Sequence, residues 1–553
     1  MRKFRRALMW ALGLVLSTAA IVPASGEAVP DEQYAGVNPP ERAKGTIGAI
    51  YDPSREDSFG SSFLFAGDPR DSGQVGWAKN AVTCTSALTP ECASDRQIME
   101  YQAYLQECTA NVASDCVVSV TAIRTDGTEI PGSFVRRVPA VGPTEFEGNP
   151  ARKIPNGRTP GLWTFADIAH QGGRDFLVSV SLAGRSDKKE QNPEPGQLRM
   201  AVFPVSSVTP AREGGVMKIG ANKDGSFSIQ GAFDRSHVYH SPNEALNRWP
   251  MPDGLKFRVS VKLRNALTGW LHGRVFDPKV TITNDAGGQL ITVEAAPVSV
   301  PVIDPWTKWG ELPEYLRTVY SGRSPGGDFC LGWVEDKWED LCINVGGNSS
   351  ASEQTMREFL EWVKIAKDTA AATKTTWSIR SMRGDEVAGR GDCYQNDKNF
   401  VGFVATNSTV YLAGPPSFNR DAQSLDYKVA SPHFTRTGGT NIGTYSLIIR
   451  SDVARCIYGF SNAPISATVS VLSADGAAQV ATTSVAQKDG WLSLNAAGFT
   501  FSSPTVSVKL TQEPAPVVAK PVVTKKSTIT CTKGKTSKKI NGTKCPSGWK
   551  KKS

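Results

Sequence analysis

One region of the sequence holds residue types suited to carbohydrate chemistry. Between residues 304 and 340 stand Trp306, Trp309, Trp333 and Trp338, interleaved with Asp304, Glu311, Glu314, Asp328, Glu335, Asp336, Glu339 and Asp340. Indoles stack on sugar rings and carboxylates bind hydroxyls, so the four tryptophans are the carbohydrate-binding candidates. Two carboxylates at the right separation would also hydrolyse a glycosidic bond. The plainer reading is preferred, because tryptophan is usually mostly buried. On it the indoles pack around a Cys330–Cys342 bridge and the acids face water.

Other constellations carry less. His237 and His240 are three apart, a spacing that places two metal ligands on one face of a helix. Their flanks, Arg235-Ser236 and Ser241-Pro242, suit loop or strand instead, so no metal is expected. His170 sits in Ala169-His170-Gln171-Gly172-Gly173, a tight turn in which the backbone satisfies the ring. Gly322-Arg323-Ser324-Pro325-Gly326 matches a nucleophile elbow in form. An elbow uses the N–H of the residue after the serine, and Pro325 has none, so this is a loop. Asn222-Lys223-Asp224-Gly225 resembles a calcium-loop fragment. However, Gly220 holds the first ligand position and Gly231 the closing one, which leaves a plain turn. Arg-Gly-Asp occurs at 383–385 and 390–392; an adhesive role is one reading and simple turns the preferred one. No catalytic residue and no cofactor is assigned.

The strongest signal is charge. Lys+Arg number 62 and Asp+Glu 53 in 553 residues, a net +9. Arg2, Lys3, Arg5 and Arg6 stand at the start without an acid, and residues 520–553 carry eleven lysines without an acid. The remaining 47 basic residues face all 53 acids, a balance of −6. Lys533, Lys535, Lys538, Lys539, Lys544 and Lys550 are the residues expected to contact an anionic cell-envelope polymer, the alternative being a tail that only solubilises. Nucleic acid is not an expected partner, since the chain reads as exported. Residues 1–26 have a basic start, an apolar run from Ala7 to Val22 and the small residues Ala24-Ser25-Gly26, the pattern of a secretory signal. No later stretch has the length and apolarity of a membrane span. The ten cysteines fit export, where an even count reads as a disulfide framework. The expected pairs are Cys84–Cys92, Cys108–Cys116, Cys330–Cys342, Cys393–Cys456 and Cys531–Cys545.

The elements that must position these residues are mainly strands. Val117–Ile123, Phe176–Leu182 and Phe257–Leu263 alternate apolar and polar, as strands with one buried face do. Thr125-Asp126-Gly127 and Lys488-Asp489-Gly490 supply turns. Tyr445–Ile449, Thr468–Val471, Trp491–Leu494 and Thr505–Val508 suit a sandwich. Helix is expected over Glu311–Tyr320 and again after a Ser350-x-x-Glu353 cap, where Met356, Phe359, Leu360, Val363 and Ala366 form one stripe of a helix of about 18 residues. The fold class is therefore mainly β, with several sandwich-like domains, one helical insert and a small basic C-terminal module; an immunoglobulin-like arrangement is one option, without the antibody-type Trp between Cys393 and Cys456. The expected units are a signal at 1–26, a leader at 27–45, a β domain with two Cys pairs at 46–147 and a second β domain at 148–303. A mixed insert at 304–394, a sandwich-like domain at 395–511, a Pro-rich spacer at 512–527 and a disulfide-stapled tail at 528–553 complete the chain.

Some stretches are similar to known sequences. Thr528–Lys535 with Lys544-Cys545-Pro546-Ser547-Gly548-Trp549-Lys550 resembles the Lys-rich, two-Cys tail of many exported actinobacterial proteins. Thr268-Gly269-Trp270-Leu271-His272-Gly273-Arg274 with Asp277-Pro278, Asp452–Phe460 and Gly490-Trp491-Leu492 resemble large uncharacterised exported proteins of the same group. The resemblance implies export, a multi-domain β body and a surface role. The expected function is a binding or structural protein of the cell envelope, retained by its tail; the alternatives are a secreted glycan hydrolase using carboxylates of 304–340, and a surface adhesin.

Overall fold

The structure is a computed structural model that describes residues 30–34, 46–53, 61–67, 82–93, 98–142, 144–187, 196–208, 218–221, 227–230, 237–240, 244–285, 287–322, 345–346, 349–396, 398–461, 465–472, 478–479, 481–501, 505–512 and 527–553. It is mainly β. The elements used below are β1 (Thr46–Ile50), β2 (Cys116–Arg124), β3 (Asp175–Asp187), β4 (Gln197–Val208), β5 (Leu255–Leu263), β6 (Gly269–Asp285) and β7 (Gly288–Val302). Helices α1 (Glu314–Gly322) and α2 (Glu353–Ile365) come next, then β8 (Ala372–Ser381), β9 (Phe400–Thr406), β10 (Ser424–Ala430) and β11 (Ile442–Arg450). The rest are α3 (Ser451–Tyr458), β12 (Ile465–Leu472), β13 (Trp491–Thr500), β14 (Thr505–Gln512), β15 (Thr528–Lys533) and β16 (Thr536–Asn541).

Period-two alternation produces two sandwich cores. In the first, the inward residues of β2, β5 and β7 (Val120, Val259, Val293) meet those of β3, β4 and β8 (Phe176, Val178, Met200, Trp377). In the second, β9, β11 and β13 supply Val404, Leu447 and Leu494 against Tyr427, Val469 and Val508 of β10, β12 and β14. The long strand β6 belongs to both: it pairs with β7 through neighbours such as Ile282 and Ile291, and with β9 from Gly269 to Gly273. Pairing also runs across the expected unit boundaries. β2 pairs with β5, β7 with β8, and β6 with β9. The two expected β domains before residue 304 therefore share one core, and their sheet continues directly into β8 and β9. Short-range patterning marks where strands are, but not which distant strand completes the ladder.

The helical insert packs on a third core. Leu312 and Leu316 of the α1 region, Met356, Phe359, Trp362 and Val363 of α2, and Ile47 and Ala49 of β1 form it. The cap of α2 is Ser352, two residues later than expected: its hydroxyl accepts from the Thr355 N–H, and the Thr355 side chain closes the box. α2 has 13 residues rather than about 18, because Lys367 and Asp368 turn left-handed (φ 54° and 53°). Among the described residues four of the expected disulfides form: Cys84–Cys92, Cys108–Cys116, Cys393–Cys456 and Cys531–Cys545. Cys330–Cys342 lies outside the described residues, as do the signal and most of the spacer.

One segment inside the expected leader is docked on the body. β7 covers one edge of β8 along 372–376 and β4 covers the other edge only from Trp377 onward. The two outward N–H groups left, of Thr373 and Thr375, donate to the carboxylates of Asp31 (2.9 Å) and Glu32 (3.1 Å). The Thr375 hydroxyl also donates to Glu32, Gln33 donates to the Arg248 carbonyl, and Tyr34 donates to Asp304. Side chains thus do for this edge what a neighbouring strand would do.

Candidate functional site

The lysine tail folds into three short strands, with β15 in the middle, β16 on one side and Lys550–Lys551 on the other. Cys531 is the residue it buries, and the Cys531–Cys545 bridge stands in for a core the module is too small to build. Register places Lys538 and Lys551 opposite Cys531 on one face, and Lys539 and Lys550 opposite Thr530 and Thr532 on the other. Both faces are therefore basic. Lys533, Lys535, Lys538, Lys539, Lys544 and Lys550 are all exposed, with Lys551 and Lys552 beside them. No acid lies between 527 and 553 to neutralise them.

The 304–340 candidates separate. Trp306 lies against Gly48 of β1, where an added Cβ would sit 2.4 Å from the ring, so the backbone covers one face of the indole. Trp309 is half-buried against the helical core. Asp304 accepts from Tyr34, and Glu311 accepts from Thr307 and pairs with Lys308. Trp333, Trp338 and the acids from 328 to 340 lie outside the described residues. His170 behaves as the turn reading expects: Nδ1 accepts from Gly172 N–H and Nε2 meets the Asp175 carbonyl at 2.9 Å. His237 and His240 are on a strand, not a helix. Residues 323–326 of the serine motif and the turn at 222–226 lie outside the described residues. In the first Arg-Gly-Asp triplet Arg383 and Asp385 pair with each other at 2.9 Å; in the second Arg390 donates to the Ala413 carbonyl. Among the described residues no cluster of three or more metal-ligating side chains occurs, and no helix is long and apolar enough to cross a membrane.

The Thr268–Arg274 stretch turns out to be a lock at the junction of the two sandwiches. Trp270 is 1% exposed and its indole N–H donates to the Tyr394 carbonyl at 3.0 Å. His272, 2% exposed, stacks on Tyr411 with ring centroids 3.7 Å apart. Arg274 is buried, donates to the carbonyls of Thr406, Ser408 and Thr409, and lies 4.8 Å over the Tyr411 ring. Next to it Arg380 makes a two-pronged pair with buried Glu386 at 2.7 and 2.8 Å. Polar residues at these positions look solvent-facing in sequence; no local signal separates them from a wet strand face.

This lock is expected to respond to pH in two ranges. Burial, together with the cations Arg380 and Arg274, holds the His272 imidazole well below its ordinary range. Burial pushes Glu386 up, but the Arg380 pair and the N–H of Arg383 outweigh it and hold the carboxyl at about 2. A histidine kept neutral by the fold contributes stability that is present above about pH 6.5 and is lost as pH falls, because the unfolded chain binds the proton. Glu386 acts lower, its contribution fading from about pH 4.5 toward 2. Urea unfolding is expected to show stability falling by up to about 1.4 kcal/mol per pH unit below pH 6.5 on account of His272. His272→Phe should flatten that limb; an unchanged slope would refute the assignment.

Compared with known proteins, the chain matches no family model, no curated protein and no solved structure. The four bridges are those of a protein from an oxidising, extracytoplasmic compartment.

Proposed function

We propose that the chain is an exported protein of the cell envelope with a binding or structural body, held there by its basic C-terminal module. The observation that carries this is the module itself: eight exposed lysines around a disulfide-stapled sheet whose two faces are both basic, without an acid, on a body whose own balance is −6. Such a module attracts a polyanion from any approach direction and discriminates little by shape. The tail's resemblance to exported actinobacterial proteins supports the same reading. In the described part of 304–340 Asp304 and Glu311 are partnered and both tryptophans are half-buried, so the binding reading stands ahead of the hydrolase one.

Contacts of this kind weaken with salt. The full chain is expected to sediment with isolated cell envelopes at low ionic strength and to be released by about 0.5 M salt. Changing Lys533, Lys535, Lys538, Lys539, Lys544 and Lys550 together to Gln should release it without salt, while the thermal unfolding of the body stays unchanged. Retention that survives both treatments would overturn the proposal.

A further inference from the structure

Asp452–Phe460 and Gly490-Trp491-Leu492, far apart in sequence, meet in space. Arg450 at the end of β11 pairs with Trp491 at the start of β13, and the Ser451 N–H donates to the Gly490 carbonyl. Gly269, which opens β6, donates to the Asn399 carbonyl beside them. Where these stretches converge there is a cleft of about 420 Å³, within the roughly 300–1,000 Å³ of small-molecule sites.

Its lining is that of a site. Trp491, half-buried, forms one wall and is braced by the buried ring of Phe400, centroids 5.4 Å apart, so the indole is held in place. Ser451 is 7% exposed and lines the cleft, and its hydroxyl has no hydrogen-bond partner among the described residues. A buried hydroxyl without a partner costs about 1–3 kcal/mol unless something else satisfies it; a turn about χ1 would present it to an occupant. The charges around the cleft cancel: Arg450 and Lys398 against Asp452 and Asp489, with Arg450 and Asp452 paired at 2.5 and 2.9 Å. An anion or a cation gains nothing net from such a lining. A neutral molecule with an apolar ring face and several hydroxyls gains from all of it, since each hydroxyl both donates and accepts.

We propose that this cleft binds a neutral saccharide, with one pyranose ring stacked on Trp491 and a hydroxyl paired with Ser451. The site is separate from the 304–340 region and from the lysine tail, and the proposal does not depend on the tail's role.

The full chain is to be titrated calorimetrically with maltotriose, cellotriose, triacetylchitotriose and mannotriose, and with a hyaluronan oligosaccharide as charged comparison. At least one neutral trisaccharide should bind with a Kd on the order of 0.1–1 mM. Trp491→Ala should weaken it at least about tenfold and Ser451→Ala about threefold, the loss of one hydrogen bond. Because Trp491→Ala removes packing against Phe400, Trp491→Phe serves as the second variant and should keep the fold while binding less tightly. Affinity that is unchanged by raising salt to about 0.5 M separates this cleft from contacts made by the tail. Absence of binding by every neutral trisaccharide at about 10 mM, preference for the charged oligosaccharide, or affinity indifferent to both Trp491 and Ser451 would each overturn the proposal.

Discussion

Replacing Asp52 by alanine is expected to cost about 3–5 kcal/mol of stability at pH 7, among the largest single losses available in this chain. Asp52 and Lys374 pair at 2.7 Å with side-chain exposures of 1% and 0%. Burial already pushes the Lys374 ammonium below its usual range even though Asp52 pulls the other way, and Arg248 adds to the depression. Removing the carboxylate takes away the main counter-charge and leaves the burial. The buried lysine then sheds its proton, which sets a ceiling: holding a lysine of ordinary pKa neutral at pH 7 costs about 5 kcal/mol. That ceiling falls by about 1.4 kcal/mol for each pH unit above 7. Asp52→Ala should therefore be milder at pH 9 than at pH 7, which a simple cavity would not be. The double change Asp52→Leu with Lys374→Met is expected to recover most of the loss, because neither charge then has to be taken out of water. Chemical denaturation at the two pH values decides; equal losses at both would rule out the charge account.

Arg274→Met is expected to be comparably severe, about 3–5 kcal/mol, for a different reason. Here the cost lies in what the side chain leaves behind. The carbonyls of Thr406, Ser408 and Thr409 cluster where the chain leaves β9, and all three accept from the one guanidinium. Each buried acceptor stripped of its donor costs about 1–3 kcal/mol. The planar fork reaches three acceptors from two nitrogens while its face lies over Tyr411; an ammonium on a flexible stem cannot do both. Arg274→Lys should consequently recover little, and both variants should unfold at lower denaturant with wild-type slope. Full stability in the lysine variant would show that charge alone, not the fork, holds the junction.

Local patterning explains a part of this fold and long-range partnership the rest. Val117–Ile123, Phe257–Leu263 and Tyr445–Ile449 announce themselves because burial of one face imposes period two, and the two turns at Asp126-Gly127 and Asp489-Gly490 reflect left-handed backbone (φ 86° at Gly127, 50° and 80° at the second). The disulfide pairs near in sequence are legible for the same local reason. Distant pairings are not. Lys374 sits in Ala-Thr-Lys-Thr-Thr, which reads as a wet strand, and its partner is 322 residues away. Only resemblance singles out the Thr268–Arg274 stretch; its role in joining two cores depends on Tyr394, Ser408 and Tyr411. The cleft at Trp491 is invisible in the same way, being assembled where β6, β9, β11 and β13 meet. The dense aromatic region at 304–340 stands out by composition and is, where described, packing.

The docking of residues 30–34 on β8 has a consequence for the order of events in folding. The contact between Glu32 and Thr375 closes a loop of 343 residues. Loop-closure entropy alone makes such a contact unfavourable until the intervening strands have condensed. Until β8 has formed, residues 30–34 have no place to bind, because the edge they will later close does not yet exist. The clasp is thus a late step that seals a sheet whose other edges are already set, and a chain whose β8 has formed without it would carry an open strand edge available for intermolecular pairing.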